Sequence, residues 1–160
     1  MERVIDVRTI PRSRHNPQFN QNTLRTKLRA ARISYVHVRK LGGLRHARPD
    51  SPNMGWRNSS FRGFADYMQT SEFDAGLQRL IKLAGQKRSA LMCAEAVPWR
   101  CHRSLIADAL TVLGIRVEDI MSKTHSQVHS LTSFGRVRRN RVTYPISEGS
   151  RPIVTRSIEE

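Results

Sequence analysis

The chain has 160 residues, 38% of them hydrophobic, with a formal net charge of +15 and two cysteines. That length suits one domain with a real core. No apolar run approaches the roughly eighteen residues needed to cross a membrane, the start lacks an apolar stretch long enough for a signal peptide, and two cysteines are too few for a secreted disulfide scaffold. A cytoplasmic protein with free thiols is therefore expected.

In chain order, ERVIDVR (2–8) reads as a short buried strand, β-branched at Val4, Ile5 and Val7 and stopped by Pro11. A polar loop runs to Asn20, a suitable N-cap, after which Leu24, Leu28 and Ala31 recur at helical spacing. ISYVHV (33–38) is the next strand, broken by Gly42 and Gly43. Residues 44–60 form a long loop, a length usually functional or disordered; Trp56 within it argues against disorder. Phe61, Phe64, Ala65 and Met68 indicate a short helix. A second helix opens at Ser71, with Asp74 completing a capping box, carries Phe73, Leu77, Leu80, Ile81 and Ala84 as its apolar stripe, and stops at Gly85. RSALMCA (88–94) is a buried strand, Leu105 to Leu113 form the stripe of a helix ending at Gly114, and IRVEDI (115–120) is a further strand. FGRVRRNRVTYP (134–145) suits a hairpin turning near Asn140. The alternation predicts an α/β fold, a mainly parallel central sheet flanked by helices with a C-terminal hairpin or irregular tail. The boundaries read as a core over 1–122, an extension over 123–145 and a disordered tail over 146–160.

Ligands of open α/β sheets bind beyond the carboxyl ends of the strands. Two such ends carry polar groups where apolar ones are expected: Asp6 with Arg8, and Cys93 with Glu95. Members of each pair are two residues apart and share a face in extended chain. Cys101, His102, Arg103 and Ser104 then sit at the entry of the next helix, where free N–H groups and the dipole favour an anion and lower a thiol's pKa. Cys101 is the candidate nucleophile, and Cys93, behind Leu91 and Met92, reads more readily as a buried structural thiol. His102 suits a general base or a helix cap, Glu95 an ion pair holding the pocket or an acid, and Trp99 a core contact. A zinc site on Cys93, Glu95, Cys101 and His102 is disfavoured, because adjacent Cys101 and His102 are not expected to close one tetrahedron with Cys93; the Cys-Ala-Glu string resembles zinc deaminases but lacks their second cysteine pair. No metal is assigned, and the residues name no cofactor.

The outline of cysteine, loop, then Arg103-Ser104 and a helix resembles rhodanese-like and cysteine-phosphatase sites, as Asp6-Val7-Arg8 resembles the Asp-Val-Arg string of rhodanese domains. The loop is longer and lacks their glycines, so that likeness concerns site design alone. A fuller match is carried by DVRTIPRSRHNPQFN, NMGWRNSSFRGFADYM, ALMCAEAVPWRCHRSLIADAL and the segment HSLTSFGRV…RVTYP. These resemble the bacterial domain-of-unknown-function family 488 over nearly the whole chain, to about residue 145. The resemblance implies an α/β sandwich and no established activity. It also implies an opening strand ending in a Gly-His-Ser type string, whereas this sequence begins at the Asp-Val-Arg strand.

Residues 7–49 hold no acid and eleven arginines and lysines, a field that attracts anionic molecules and polyanions. The leading expectation is a pocket for an anionic small molecule or nucleotide, built from Asp6, Arg8, Cys93, Glu95, Cys101, His102, Arg103 and Ser104, with Arg12, Arg14, Asn16 and the 44–60 loop, including Trp56 and Arg57, closing over it, and supporting transfer or hydrolysis. The residues do not decide between catalysis and binding alone. The alternatives are a nucleic-acid-binding module using the arginine-rich surface and a non-catalytic, partner-dependent regulatory protein.

Overall fold

The computed structural model describes residues 1–146. Its centre is a three-stranded parallel sheet in the order β2-β1-β3, formed by β1 (Arg3–Asp6), β2 (Ser34–His37) and β3 (Ser89–Met92). Asp6 lies level with His37 on one side and Met92 on the other, so the three carboxyl ends form one edge. Parallel strands need crossovers, and helices supply them. α1 (Gln21–Ala30) links β1 to β2, while α2 (Ser59–Tyr67) and α3 (Ser71–Gln86) lie between β2 and β3. α4 (Arg103–Val112) follows β3. The α/β fold is thus as the alternation predicts. Among the described residues no helix is long and apolar enough to cross a membrane.

All four residues of β1 are buried, as its central place requires. Ile5, Val7, Val38, Leu41, Phe64, Phe73, Leu105 and Ile106 fill the core around it. Two charged groups are buried with it and are paired, as burial demands. Arg3 donates to the Leu83 carbonyl at 2.5 Å and to Ser34 Oγ at 3.3 Å. Asp6 accepts from Arg8 Nε, Nη2 and backbone N–H and from the Tyr35 hydroxyl at 2.6 Å. Burial pushes the Asp6 carboxyl up, but the Arg8 and Tyr35 hydrogen bonds outweigh it and hold it below the usual carboxylate range. The phenol of Tyr35 is raised by burial and by that same carboxylate.

Several local expectations are corrected. α3 is capped by Thr70, whose Oγ1 accepts from Phe73 N–H at 3.3 Å, so the Ser71–Asp74 box does not form. α3 also runs through Gly85 to Gln86, since a glycine inside a helix weakens it without stopping it. Asn20 occupies the N-cap position of α1, but its side chain accepts from Ser13 N–H instead. The strand expected over 115–120 shortens to β4 (Glu118–Ile120), which pairs antiparallel with β5 (Ser126–Val128) and does not join the central sheet. Glu118 and Asp119 are charged and Ile120 is exposed, so the strand offers no buried apolar face for a sheet interior. The loop 44–58 is pinned by Asp66, which accepts from Ser51 Oγ, Asn53 Nδ2 and Arg48 N–H.

The hairpin near Asn140 is present as β6 (Arg136–Arg138) and β7 (Arg141–Thr143). Arg139 and Asn140 both have positive φ, the backbone that a tight two-residue hairpin turn requires. Val142 and Tyr144 are buried in the same core as β1 and α4. Of the expected tail, residues 147–160 lie outside the described residues.

A buried polar cluster ties this C-terminal segment to α4. Asp108, fully buried, accepts from His129 Nε2 at 2.9 Å, Tyr144 OH at 2.7 Å and Thr132 N–H at 3.0 Å, while His129 Nδ1 meets Asp119 at 2.9 Å. Two carboxylate partners need both ring nitrogens protonated. The Asp108 bond, helped by Asp119, accordingly raises the His129 pKa against the opposing effect of burial. A raised folded-state pKa gives stability that is complete below the unfolded value, about 6.5 for histidine, and is lost as pH rises through the folded value. Each unit of that shift is about 1.4 kcal/mol. Thermal stability is therefore expected to fall as pH is raised from about 6.5 into the alkaline range, and His129→Gln to flatten that decline. Equal slopes in the two proteins would contradict the charged bridge.

Candidate functional site

The carboxyl edge of the sheet faces the entry of α4, and a cleft of about 320 Å³ opens between them. Its lining comes from four segments: Arg8, Thr9 and Ile10 after β1; Gly43 and Leu44 after β2; Cys93, Ala94 and Glu95 after β3; and Arg100, Cys101 and His102 before α4. Ser60 and Phe61 of α2 complete it. Ligand sites of open α/β sheets occupy this position.

His102 organises the floor. It occupies the N-cap position of α4 but makes no capping bond, because its ring turns inward. Nε2 lies 3.2 Å from the Val7 carbonyl, just beyond β1. A carbonyl only accepts, so Nε2 carries the proton and donates to it, leaving a lone pair on Nδ1 in the neutral ring. That Nδ1 is 3.7 Å from Cys93 Sγ and 3.7 Å from Cys101 Sγ. The ring is held on its faces as well. Phe64 lies 5.0 Å away, centroid to centroid, and a Cβ on Gly43 would overlap the imidazole. Close approach of ring and backbone is thus the physical reason for glycine at 43.

The two sulfurs have opposite environments. Cys101 is buried and is polarised by several donors; the Cys93 thiol lowers its pKa most, then, against desolvation, the Arg103 backbone N–H and the Arg103 Nε at 3.3 Å, taking it to about 6. Cys93, half-buried, is pushed up to about 12 by its hydrogen bond to Cys101 and by desolvation, with His102 opposing. One proton shared between two sulfurs accounts for both directions.

The predicted site residues divide into three groups. Arg8, Cys93, Glu95, Cys101 and His102 come together at the cleft. Asp6, Arg103 and Ser104 lie beside it in supporting roles. Asp6 is fully buried beneath the cleft and fixes Arg8, whose Nη2 also reaches the Phe19 carbonyl at 2.9 Å. Arg103 is spent on Cys101 Sγ and on the Glu95 and Ala96 carbonyls, and Ser104 Oγ donates to the Cys101 carbonyl at 3.0 Å. Arg12, Arg14, Asn16 and Arg57 are exposed and do not line the cleft. Trp56 does not line it either, packing on Phe61, Phe134 and Tyr144 at centroid distances of 4.8, 4.9 and 5.5 Å.

Two further expectations change. The Glu95 carboxylate is exposed and makes no ion pair among the described residues, and its backbone carbonyl is what holds Arg103. Trp99 is 60% exposed and so is no core contact. Cys93, Cys101 and His102 nonetheless present ligand atoms that all lie within 4.8 Å of one another. A 3₁₀ turn over Pro98–Arg100 precedes adjacent Cys101 and His102, and Cys101 Sγ lies 3.7 Å from His102 Nδ1. Leu44 lines the cleft as part of the 44–60 loop, whereas Ile10 and Phe61 were not legible as cleft residues and Gly43 read only as a strand break.

Gly43→Ala is expected to displace the His102 ring and to cost about 1–3 kcal/mol by overpacking, measured by denaturant unfolding. A neutral substitution would mean that the ring is not held by this contact.

No curated protein and no solved structure matches the chain. A family model described as Domain of unknown function DUF488 matches residues 1–110, which hold the whole central sheet, the cleft and most of α4. The chain belongs to the DUF488 family.

Proposed function

We propose that the cleft takes a small anionic molecule, phosphate-bearing or nucleotide-like, and that the sulfur–imidazole cluster on its floor acts on it by transfer or hydrolysis. The observation that carries this reading is the convergence of a guanidinium, an oriented imidazole and two thiols on one hollow with apolar walls. Arg100 lines the hollow, is exposed, and has no side-chain partner among the described residues, so its planar fork is available for a phosphate or carboxylate. Ile10 and Leu44 line the same hollow while 60% and 70% exposed, which suits a ligand with an apolar or aromatic part. Nδ1 of His102 faces both sulfurs at 3.7 Å on the floor of the cleft.

Nucleic acid is the second reading, favoured by α1. That helix buries no residue and exposes Arg25, Lys27 and Arg29 with no acid in its length. Such a face binds phosphate backbones with steep salt dependence.

Calorimetric titration separates the two. Adenosine diphosphate is expected to bind saturably and more tightly than inorganic pyrophosphate. Arg100→Ala should weaken binding by about tenfold or more, the usual loss for a charged hydrogen bond, and Leu44→Ser should narrow the gap between the two ligands. Arg25→Ala with Arg29→Ala should leave both unchanged. Absence of saturable binding, or weakening by the α1 pair alone, would overturn the cleft reading; salt-sensitive duplex binding lost in the α1 pair would favour the second.

A further inference from the structure

We propose that Cys93, Cys101 and His102 form a metal site of the two-thiolate, one-imidazole type, taking a divalent ion of zinc's chemistry with its fourth position on the cleft. This deepens the proposed function by assigning its reacting centre, and it rests on that reading only for the use of the fourth position.

The geometry carries the assignment. Zinc–sulfur and zinc–nitrogen bonds of roughly 2.3 and 2.05 Å at a tetrahedral angle separate the ligand atoms by about 3.6 Å. His102 Nδ1 stands 3.7 Å from each sulfur, and the three ligand atoms all fall within 4.8 Å. Both nitrogen–sulfur separations therefore already match a shared tetrahedral centre, and the two sulfurs fall within the same 4.8 Å cluster.

The surroundings are those of a ligand set. A metal-bound histidine ordinarily donates its other ring nitrogen to a carbonyl or carboxylate, which sets the tautomer and aims the lone pair. Nε2 of His102 donates to the Val7 carbonyl, and the free Nδ1 faces the sulfurs. Metal-bound thiolates are anionic and need N–H donors. Cys101 Sγ has two, the backbone N–H and Nε of Arg103, and that guanidinium is held in turn by the Glu95 carbonyl. Gly43 and Phe64 prevent the ring from swinging away.

Donor type narrows the ion. Two sulfurs and one imidazole are soft to borderline and suit zinc rather than magnesium or calcium, which take oxygen. Three protein ligands with an open fourth place mark a site that does chemistry, whereas structural zinc is closed by four. All three residues line the cleft, so the fourth place falls where a water or an oxygen of the bound anion sits. Binding exchanges the thiol protons for the ion, with no change of oxidation state.

The test uses the full chain, stripped of metal and titrated with cobalt(II) as the probe. One equivalent is expected to produce sulfur-to-cobalt charge-transfer absorption and the intense visible bands of tetrahedral cobalt, and zinc is expected to abolish both. Cys93→Ser, Cys101→Ser and His102→Gln should each weaken binding by well over about tenfold, a loss seen even for outer partners of a metal site. Glu72→Gln, exposed on α3 and outside the cleft lining, should bind as the parent does. Circular dichroism identifies any variant that fails to fold, and half-buried Cys93 gives the variant least exposed to that failure. Octahedral cobalt spectra without thiolate bands, or undiminished binding by folded Cys93→Ser, would overturn the site. Pyrophosphate titration of the stripped protein reads the anion pocket separately, so loss of either result leaves the other standing.

Discussion

The site depends on one hydrogen bond across the molecule, from His102 Nε2 to the Val7 carbonyl. It joins the end of the central strand to the start of α4, 95 residues later in the chain. It also decides the chemistry on offer, because a ring that donates from Nε2 presents an unprotonated Nδ1 to whatever lies on its other side. Two sulfurs lie there. Without that bond the cluster would be three adaptable side chains in a crowded turn; with it, they are aimed.

The fold maintains this arrangement through buried charge. Asp6 and Arg8 form a fully enclosed pair immediately before and after Val7, with Tyr35 of the neighbouring strand completing the carboxylate's shell. Removing one member of such a pair leaves an uncompensated buried charge, which is strongly destabilising. The pair therefore determines where the chain leaves the sheet and where the Val7 carbonyl points. Gly42 and Gly43 perform the matching task on the β2 side, where any Cβ would strike Thr9 or the His102 ring. The cleft is thus bounded by backbone positions that tolerate little change, while its rim of Ile10, Leu44 and Arg100 is free to meet a ligand.

Much of the framework was legible in the sequence because it follows from periodicity. Val4, Ile5 and Val7 marked the central strand, the stripes at 73–84 and 105–113 marked helices, and polar residues at strand ends marked the cleft. What was not legible depended on three-dimensional approach. Asp6 looked like a pocket residue and is an anchor beneath it. Trp56 and Arg57 looked like a lid, but the middle of the loop is tied to Asp66 and to an aromatic cluster, and only its ends, Leu44 and Ser60, reach the cleft. Adjacent Cys101 and His102 looked unable to converge with Cys93, yet the ligand atoms of all three come within 4.8 Å of one another. No local pattern encodes the pairing of β4 with β5, because Glu118, Asp119 and Ile120 carry no apolar period.

The imidazole of His102 is the most direct place to test this account. Long-range nitrogen–proton correlation spectra of the metal-free protein near neutral pH report which ring nitrogen carries the proton. The account requires the Nε2–H tautomer, with Nδ1 unprotonated and shifted on addition of zinc. An Nδ1–H tautomer, or a ring indifferent to zinc and averaging freely between the two forms, would contradict it.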